Sequence, residues 1–285
     1  MKTDITIKSG DGRSIRAVKY DAQAGNGSFI VLNSALGIRQ GFYADFALFL
    51  VSLGYEVLTW DARGIGGSAF KDPKSDMAKL RDWPRLDLKA VLNFVVDQGF
   101  CEWKDLTLIG HSAGAHLVGL CPSILKIPRI MMIAAGTCYW RLYAPKLWPK
   151  TLLSWYVLVP LMVQFLGYVP ANLGIGHDLP KGIISEWRDW SLKKDYLFSD
   201  ETLVDTFYQK YSGKILSIGF SDDAAFSPEK TVYDLMAHFP NAEKKTQILR
   251  PEDLGMRKIG HFGFFKKSSV DSWRLALSRW LRFDD

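Results

Sequence analysis

Ser112 stands at the apex of Gly110-His111-Ser112-Ala113-Gly114. An apolar run, Asp105-Leu106-Thr107-Leu108-Ile109, precedes it, and a helix-compatible stretch, Ala115-His116-Leu117-Val118-Gly119-Leu120, follows. Strand, sharp turn and helix with a serine between them is the setting of a nucleophile elbow. The residue types suit it. Gly110 and Gly114, with Ala113 and Ala115 beside them, keep bulk away so that strand and helix can approach at a strained turn. The helix aims free N–H groups at the turn and favours negative charge there. The Ala113 N–H is thereby placed for an oxyanion forming beside Ser112.

A serine hydroxyl needs a base to take its proton, and the base needs a carboxylate to fix its tautomer. Of the five histidines, His111 adjoins Ser112 and should project away from it as packing. His116 lies a turn further along the helix and reads as a satisfied, partly buried residue. His177 falls in an irregular region, and His238 near a helix end. His261 alone sits in a Gly-flanked loop after the last strand, at the edge where the active-site loops of open α/β sheets gather. It is the candidate base. Asp222-Asp223 follows the preceding strand, and either could be the acid. The position relative to the strand entry Lys214-Ile215-Leu216 favours Asp223. No acidic residue follows the strand that ends at Ala135.

These residues need a frame. Thr3 to Lys8 and Arg13 to Tyr20 alternate polar and apolar around Ser9-Gly10-Asp11-Gly12, an opening hairpin. Ser28 to Asn33 is a continuous apolar strand, as in a sheet covered on both faces. It ends in Ser34-Ala35-Leu36-Gly37. A helix over 42–53, a strand over 55–60 and a long helical region over 76–99, interrupted near Pro84 and rebuilt from Asp87, come next. Asp61-Ala62-Arg63-Gly64-Ile65-Gly66-Gly67-Ser68 lies between. Its glycine spacing matches neither G-x-G-x-x-G nor a phosphate loop, so it reads as structural. Strands over 128–135, 214–219 and 244–249 and helices over 228–239 and 268–281 complete the pattern. The alternation implies a mostly parallel sheet with helices on both faces.

Residues 136–211 break the pattern and are rich in Trp, Tyr and Phe. They read as a cap or lid inserted into a core made of 1–135 and 212–285. Within them, 151–167 is almost uncharged but slightly short for a membrane span and interrupted by Pro160 and Gln164. It reads as a buried or interface-seeking lid helix.

The composition bounds the partners. A net charge of +6 over 285 residues, with lysines and arginines scattered, makes no basic stripe interleaved with aromatics, so nucleic acid is not expected. Peripheral contact with a membrane through 151–167 is compatible with this charge. Three cysteines at unrelated spacings form no metal or disulfide pattern and read as buried free thiols. The first seven residues lack the apolar core of a secretory signal, so the expected location is cytoplasmic, with any membrane contact peripheral.

The elbow, Asp61-x-Arg63-Gly64-x-Gly66-x-Ser68, Asp222-Asp223 and Gly260-His261-Phe262-Gly263 occur in one order along nearly the whole chain. In that order the chain resembles the α/β-hydrolase fold family. More narrowly it is similar to the serine-aminopeptidase-like and monoglyceride-lipase-like branch, and to a bacterial subgroup of predicted hydrolases with a Gly-His-Phe-Gly-Phe-Phe histidine loop. The resemblance implies the triad Ser112, Asp223 and His261. It also implies an oxyanion hole from the N–H groups of Ala113 and of a residue after the third strand. Many relatives carry His-Gly-x-Gly in that loop. This chain has Ser34-Ala35-Leu36-Gly37, so the second donor is assigned to the Leu36 N–H.

The function these residues suggest is a serine hydrolase that cleaves a carboxylic ester or related acyl substrate, apolar or aromatic, through an acyl-enzyme on Ser112. The chemistry calls for no cofactor and no metal. An aminopeptidase would use the same triad and add an acidic anchor for a free amine, for which Glu186, Asp189 and Asp195 are available. An acyltransferase would differ in excluding water. A non-catalytic, membrane-associated binding protein is the alternative of another class.

Overall fold

The computed structural model describes residues 1–173 and 176–281; the last four residues of the expected core segment 212–285, and residues 174–175 of the expected insertion, lie outside it. The opening hairpin is β1 (Lys2–Lys8) and β2 (Ser14–Tyr20), antiparallel, with Ile5 opposite Ala17. The remaining strands of the main sheet are β3 (Phe29–Asn33), β4 (Glu56–Trp60), β5 (Leu106–His111), β6 (Arg129–Ile133), β9 (Lys214–Phe220) and β10 (Glu243–Leu249). Between β6 and β9 lies a two-stranded ribbon, β7 (Tyr168–Val169) and β8 (Leu179–Pro180). The main sheet has eight strands in the order β1-β2-β4-β3-β5-β6-β9-β10, and the six from β4 to β10 run parallel.

Side chains of a strand alternate between faces, and β3 shows both layers of the core. Phe29 and Val31 join one apolar cluster, Ile30 and Leu32 the other. The first cluster receives α2 (Lys89–Asp97) through Val91, Leu92 and Val95, and α7 (Glu229–Ala237) through Leu235. The second receives α1 (Ala44–Ser52) through Phe46 and Leu50, and α8 (Val270–Leu281) through Trp273 and Leu277.

Two helical expectations change. Residues 76–81 are not helical. Asp76, fully buried, accepts from Arg13 Nη1 at 2.8 Å and from Ala78 N at 3.0 Å, so the carboxylate serves an ion pair and a local turn. A π-helical stretch, Trp83–Leu88, then carries Pro84 in its first turn, where a missing N–H costs nothing, and runs into α2. After the elbow, α3 spans only Ala113–His116 before a 3-10 turn at Val118–Leu120. Gly119 is the reason for the close turn there: a Cβ would enter the Tyr208 ring.

Residues 61–68 form a structural loop. The Asp61 carboxylate accepts from Gln40 N at 2.7 Å and Gly67 N at 2.9 Å, and a Cβ on Gly66, where φ is +51°, would strike that carboxylate. Arg63 is buried and binds Asp87 at 2.6 Å and Asp11 at 2.7 Å. Its two partners keep a buried cation satisfied.

Between β6 and β9 the chain rises over the sheet's C-terminal edge. It forms one long helix, made of α4 (Trp148–Leu153), a π-helical stretch Ser154–Leu158 and α5 (Val159–Leu166), and then α6 (Lys181–Leu192). Buried side chains of this segment, among them Ile183, Ile184, Trp190 and Tyr196, join the first core cluster. Of the two readings of the 151–167 run, buried or interface-seeking, the buried one does not hold. Tyr156 is 58% exposed and Phe165 77%, and the helix extends back to Pro145, giving 22 residues, long and apolar enough by composition to cross a membrane.

Candidate active site

Ser112 has φ +52° and ψ −118°, a conformation that a side chain rarely adopts. The neighbours leave no alternative. A Cβ on Gly110 would lie 2.5 Å from Gly114 O, and one on Gly114 would lie 2.5 Å from Ser34 O and 2.6 Å from Asn33 O. The second contact matters most for chemistry, because it presses the start of α3 against the loop that follows β3. Asn33 ties the two further, donating from Nδ2 to Gly114 O at 3.0 Å while its Oδ1 accepts from Trp60 Nε1 at 2.9 Å.

The 34–37 loop thus borders Ser112. Ala35 N donates to Tyr43 Oη at 2.8 Å, so the Ala35 N–H is spoken for. Among the described residues, the N–H groups of Leu36 and Ala113 have no hydrogen-bond acceptor, and both residues line the cavity in front of Ser112. With α3 only one turn long, its dipole is small. These two individual N–H groups are what the turn offers to an anion.

His261 and Asp223 meet across 38 residues of chain. His261 Nδ1 lies 2.6 Å from Asp223 Oδ2, and both side chains are buried. A carboxylate accepts, so Nδ1 carries the proton and Nε2 is left as the free ring nitrogen. Asp222 does something else. Its two oxygens accept from Ile259 N and Gly260 N, each at 2.9 Å, which clamps the loop that carries His261. Phe226 stacks on His261 with ring centroids 4.7 Å apart, and its N–H lies 3.3 Å from Asp223 Oδ1. Ser112 Oγ makes no hydrogen bond to a described residue, and Ser112 and His261 face one cavity.

Two histidines differ from expectation. His111 is wholly buried and more than packing. Its Nε2 is 2.9 Å from the His261 carbonyl oxygen, and its Nδ1 2.9 Å from Tyr43 Oη. The carbonyl only accepts, so Nε2 bears the proton and Nδ1 accepts from Tyr43. One neutral ring therefore connects the 34–37 loop, through Tyr43, to the His261 loop. Burial holds its pKa well below that of free imidazole. His116 is also fully buried and is not satisfied. Nε2 lies 3.1 Å from Tyr196 Oη, but Nδ1 has no partner among the described residues, and the residue lines the cavity. Burial lowers its pKa to about 3. His177 Nδ1 sits 3.1 Å from the Asp178 carbonyl, and His238 stacks on Phe198, both away from Ser112.

Leu80, Cys138, Trp187, Phe226 and Phe262 complete the cavity wall with Ala35, Leu36 and Ala113. It is small, about 30 Å³, and apolar apart from Ser112 and the two histidines. Trp187 and Cys138 come from the aromatic segment 136–211; composition marked that segment but not which of its rings would turn inward. All three cysteines are free; Cys121 and Cys138 are buried, while Cys101 is only partly covered. The acids considered as an amine anchor do not line the cavity. Glu186 binds the Arg81 guanidinium and accepts from Arg81 N at 2.7 Å, Asp189 pairs with Arg188 at 2.7 Å, and Asp195 is exposed.

The strand order, the strained serine between β5 and α3, and the flanking helices define an α/β-hydrolase fold. A family model described as serine aminopeptidase S33 matches residues 28–213, and the chain belongs to that family. The protein is accordingly an α/β hydrolase. The matched stretch contains Ser112 and ends before Asp223 and His261. No curated protein matches the chain. Among solved structures it is similar to DcsB in complex with a substrate analogue, at 17% identity and TM-score 0.62 over 99% of this chain and 98% of that one. It is likewise similar to a thermophilic esterase from Thermogutta terrifontis, at 14% identity and TM-score 0.60 over 98% of each chain. Est816, described as an N-acyl homoserine lactone degrading enzyme, matches at 14% identity and TM-score 0.61 over 95% of this chain and 98% of that one. At such identities the likeness concerns the fold.

Proposed function

We propose that the protein is a serine hydrolase acting on an ester or related acyl compound with an apolar acyl group. The observation that carries this reading is the His261–Asp223 bond of 2.6 Å beside a strained serine, with both Ser112 and His261 on one cavity. In the first step His261 Nε2 takes the Ser112 proton as Oγ bonds to the carbonyl carbon. The carbonyl π pair moves onto oxygen, where the Ala113 and Leu36 N–H groups receive it. One such donor is worth about 2.7–4 kcal/mol in the transition state. The tetrahedral intermediate collapses, the leaving group takes the proton from His261, and an acyl-enzyme remains. Water, deprotonated by His261, repeats the sequence and releases the acid. Asp223 fixes the tautomer and stabilises the imidazolium in both halves.

The apolar wall supports an apolar acyl group over a charged one. It also counts against the aminopeptidase reading that the family description suggests, because a free ammonium would meet no carboxylate there, and Glu186, Asp189 and Asp195 are otherwise engaged or remote. A cavity of about 30 Å³ holds little more than a water. Any acyl chain therefore requires the cap side chains or the cap itself to yield.

The test is fluorophosphonate labelling of the purified chain, read by intact mass. A single adduct on wild type and none on Ser112→Ala is expected, followed by turnover of p-nitrophenyl esters that depends on chain length. An unlabelled wild type, with detergent present to open the cap, would sink the hydrolase reading.

A further inference from the structure

The long helix between β6 and β9 presents an apolar face that no described residue covers. Leu153, Tyr156, Val157, Leu161 and Phe165 recur at i, i+3, i+4, i+8 and i+12, one continuous stripe, and their exposures run from 42% to 77%. Large apolar side chains exposed in one contiguous row mark an interaction site. The opposite flank is held by protein. Trp155 meets Trp187 edge-on at 5.0 Å, Arg188 Nε donates to Trp155 O at 2.5 Å, and Val159 is buried. A helix tied to protein along one side can lie in the plane of an interface.

Charge indicates what meets that face. Residues 136–177 contain no Asp or Glu, while Arg141, Lys146 and Lys150 stand at the helix's N-terminal end. At its other end Lys74 packs against Gly167. Arg188, from α6, lies over the Tyr156 ring at 5.9 Å. Asp189, the next residue on α6, is paired with Arg188. An apolar row bounded by cations complements an anionic lipid surface, whose headgroups take the cations and whose acyl region takes the row. A second copy of the chain is a poor match, since a self-complementary contact would set lysine-flanked stripes of like charge together.

We infer that the outer face of the helix spanning Pro145–Leu166 is a docking surface for anionic lipid, with the helix in the plane of the interface. Trp187 touches Trp155 on one side and lines the Ser112 cavity on the other, so one ring separates the docked helix from the catalytic cavity. The catalytic part of that statement rests on the hydrolase reading; the docking does not.

The experiment is sedimentation of the full chain with phosphatidylcholine vesicles and with phosphatidylcholine vesicles containing phosphatidylglycerol. Binding to the anionic vesicles is expected to be on the order of tenfold or more stronger and to weaken with salt. The triple substitution Val157→Lys, Leu161→Lys, Phe165→Lys should abolish it. Lys146→Glu with Lys150→Glu should erase the preference for anionic lipid. All five positions lie on the helix's outer side, and a melting curve for each variant checks that the fold is kept. Wild type left in the supernatant with both vesicles would overturn the docking, as would a triple variant that still binds. A concentration-dependent dimer that the triple substitution dissolves would also overturn it, assigning the face to a second copy. Fluorophosphonate labelling in the same samples separates the two claims: labelled protein that ignores vesicles loses only the docking.

Discussion

Asp222 and Asp223 are neighbours of the same type, and geometry gives them separate work. Asp223 meets the ring of His261, and Asp222 holds two backbone N–H groups of the loop that carries it. Under the proposed mechanism Asp223→Asn leaves the wrong tautomer at His261 and is expected to lower kcat by about 10⁴. Asp222→Asn keeps an acceptor and loosens the loop, so its cost should be about tenfold, accompanied by a lower Tm. Steady-state rates of the two variants on one ester decide the matter; equal losses would reassign the acid. The Asp-Asp pair was legible in the sequence, and strand position favoured the second. That His111 ties Tyr43 to the His261 carbonyl was not legible, because its partners lie 68 and 150 residues away. His116 shows the same limit. A histidine one turn after the serine says nothing of whether its second nitrogen finds a partner.

At the level of elements, the elbow works because β5, α3 and the loop after β3 pack closer than any side chain at Gly110 or Gly114 would permit. The pattern of small residues announced that turn. The helix beyond it was expected to be longer, and Gly119, seated against Tyr208, accounts for its early end. The segment between β6 and β9 is held differently. Arg81 binds Glu186 on α6 through its side chain and its N–H, and Asp200 at 2.7 Å. Glu186 is largely buried, and burial raises its pKa against the opposing pull of Arg81. Arg81→Ala would strand this carboxylate, at a cost of about 3 kcal/mol. Thermal melting should show the loss, and Arg81→Ala with Glu186→Leu should recover part of it. A melt unchanged by Arg81→Ala would show that this ion pair does not hold α6 in place.

For the whole molecule, two buried neutral histidines predict how stability depends on pH. Burial depresses the pKa of both His111 and His116, the latter from 6.5 to about 3. Below pH 6.5 the unfolded chain binds protons that the folded chain refuses. Stability present above that pH is therefore lost as pH falls toward 3, by up to about 1.4 kcal/mol per unit for each ring. Urea midpoints measured from pH 7 to pH 4 should fall, and His116→Gln should flatten the slope; an identical slope in the variant would remove His116 from the account. The alternation of strands and helices, the elbow, the hairpin and the order of serine, aspartate and histidine could all be read from the sequence. They rest on local periodicity, turn chemistry and spacing, which act over a few residues. Three-dimensional packing decided the rest. It set Asp76 in an ion pair instead of a helix, engaged Glu186 with Arg81, and turned Trp187 into the cavity. It also left the apolar row from Leu153 to Phe165 facing outward. An apolar run carries the same hydrophobicity whether a partner covers it or not, and only the folded arrangement of distant segments determines which of its faces is covered.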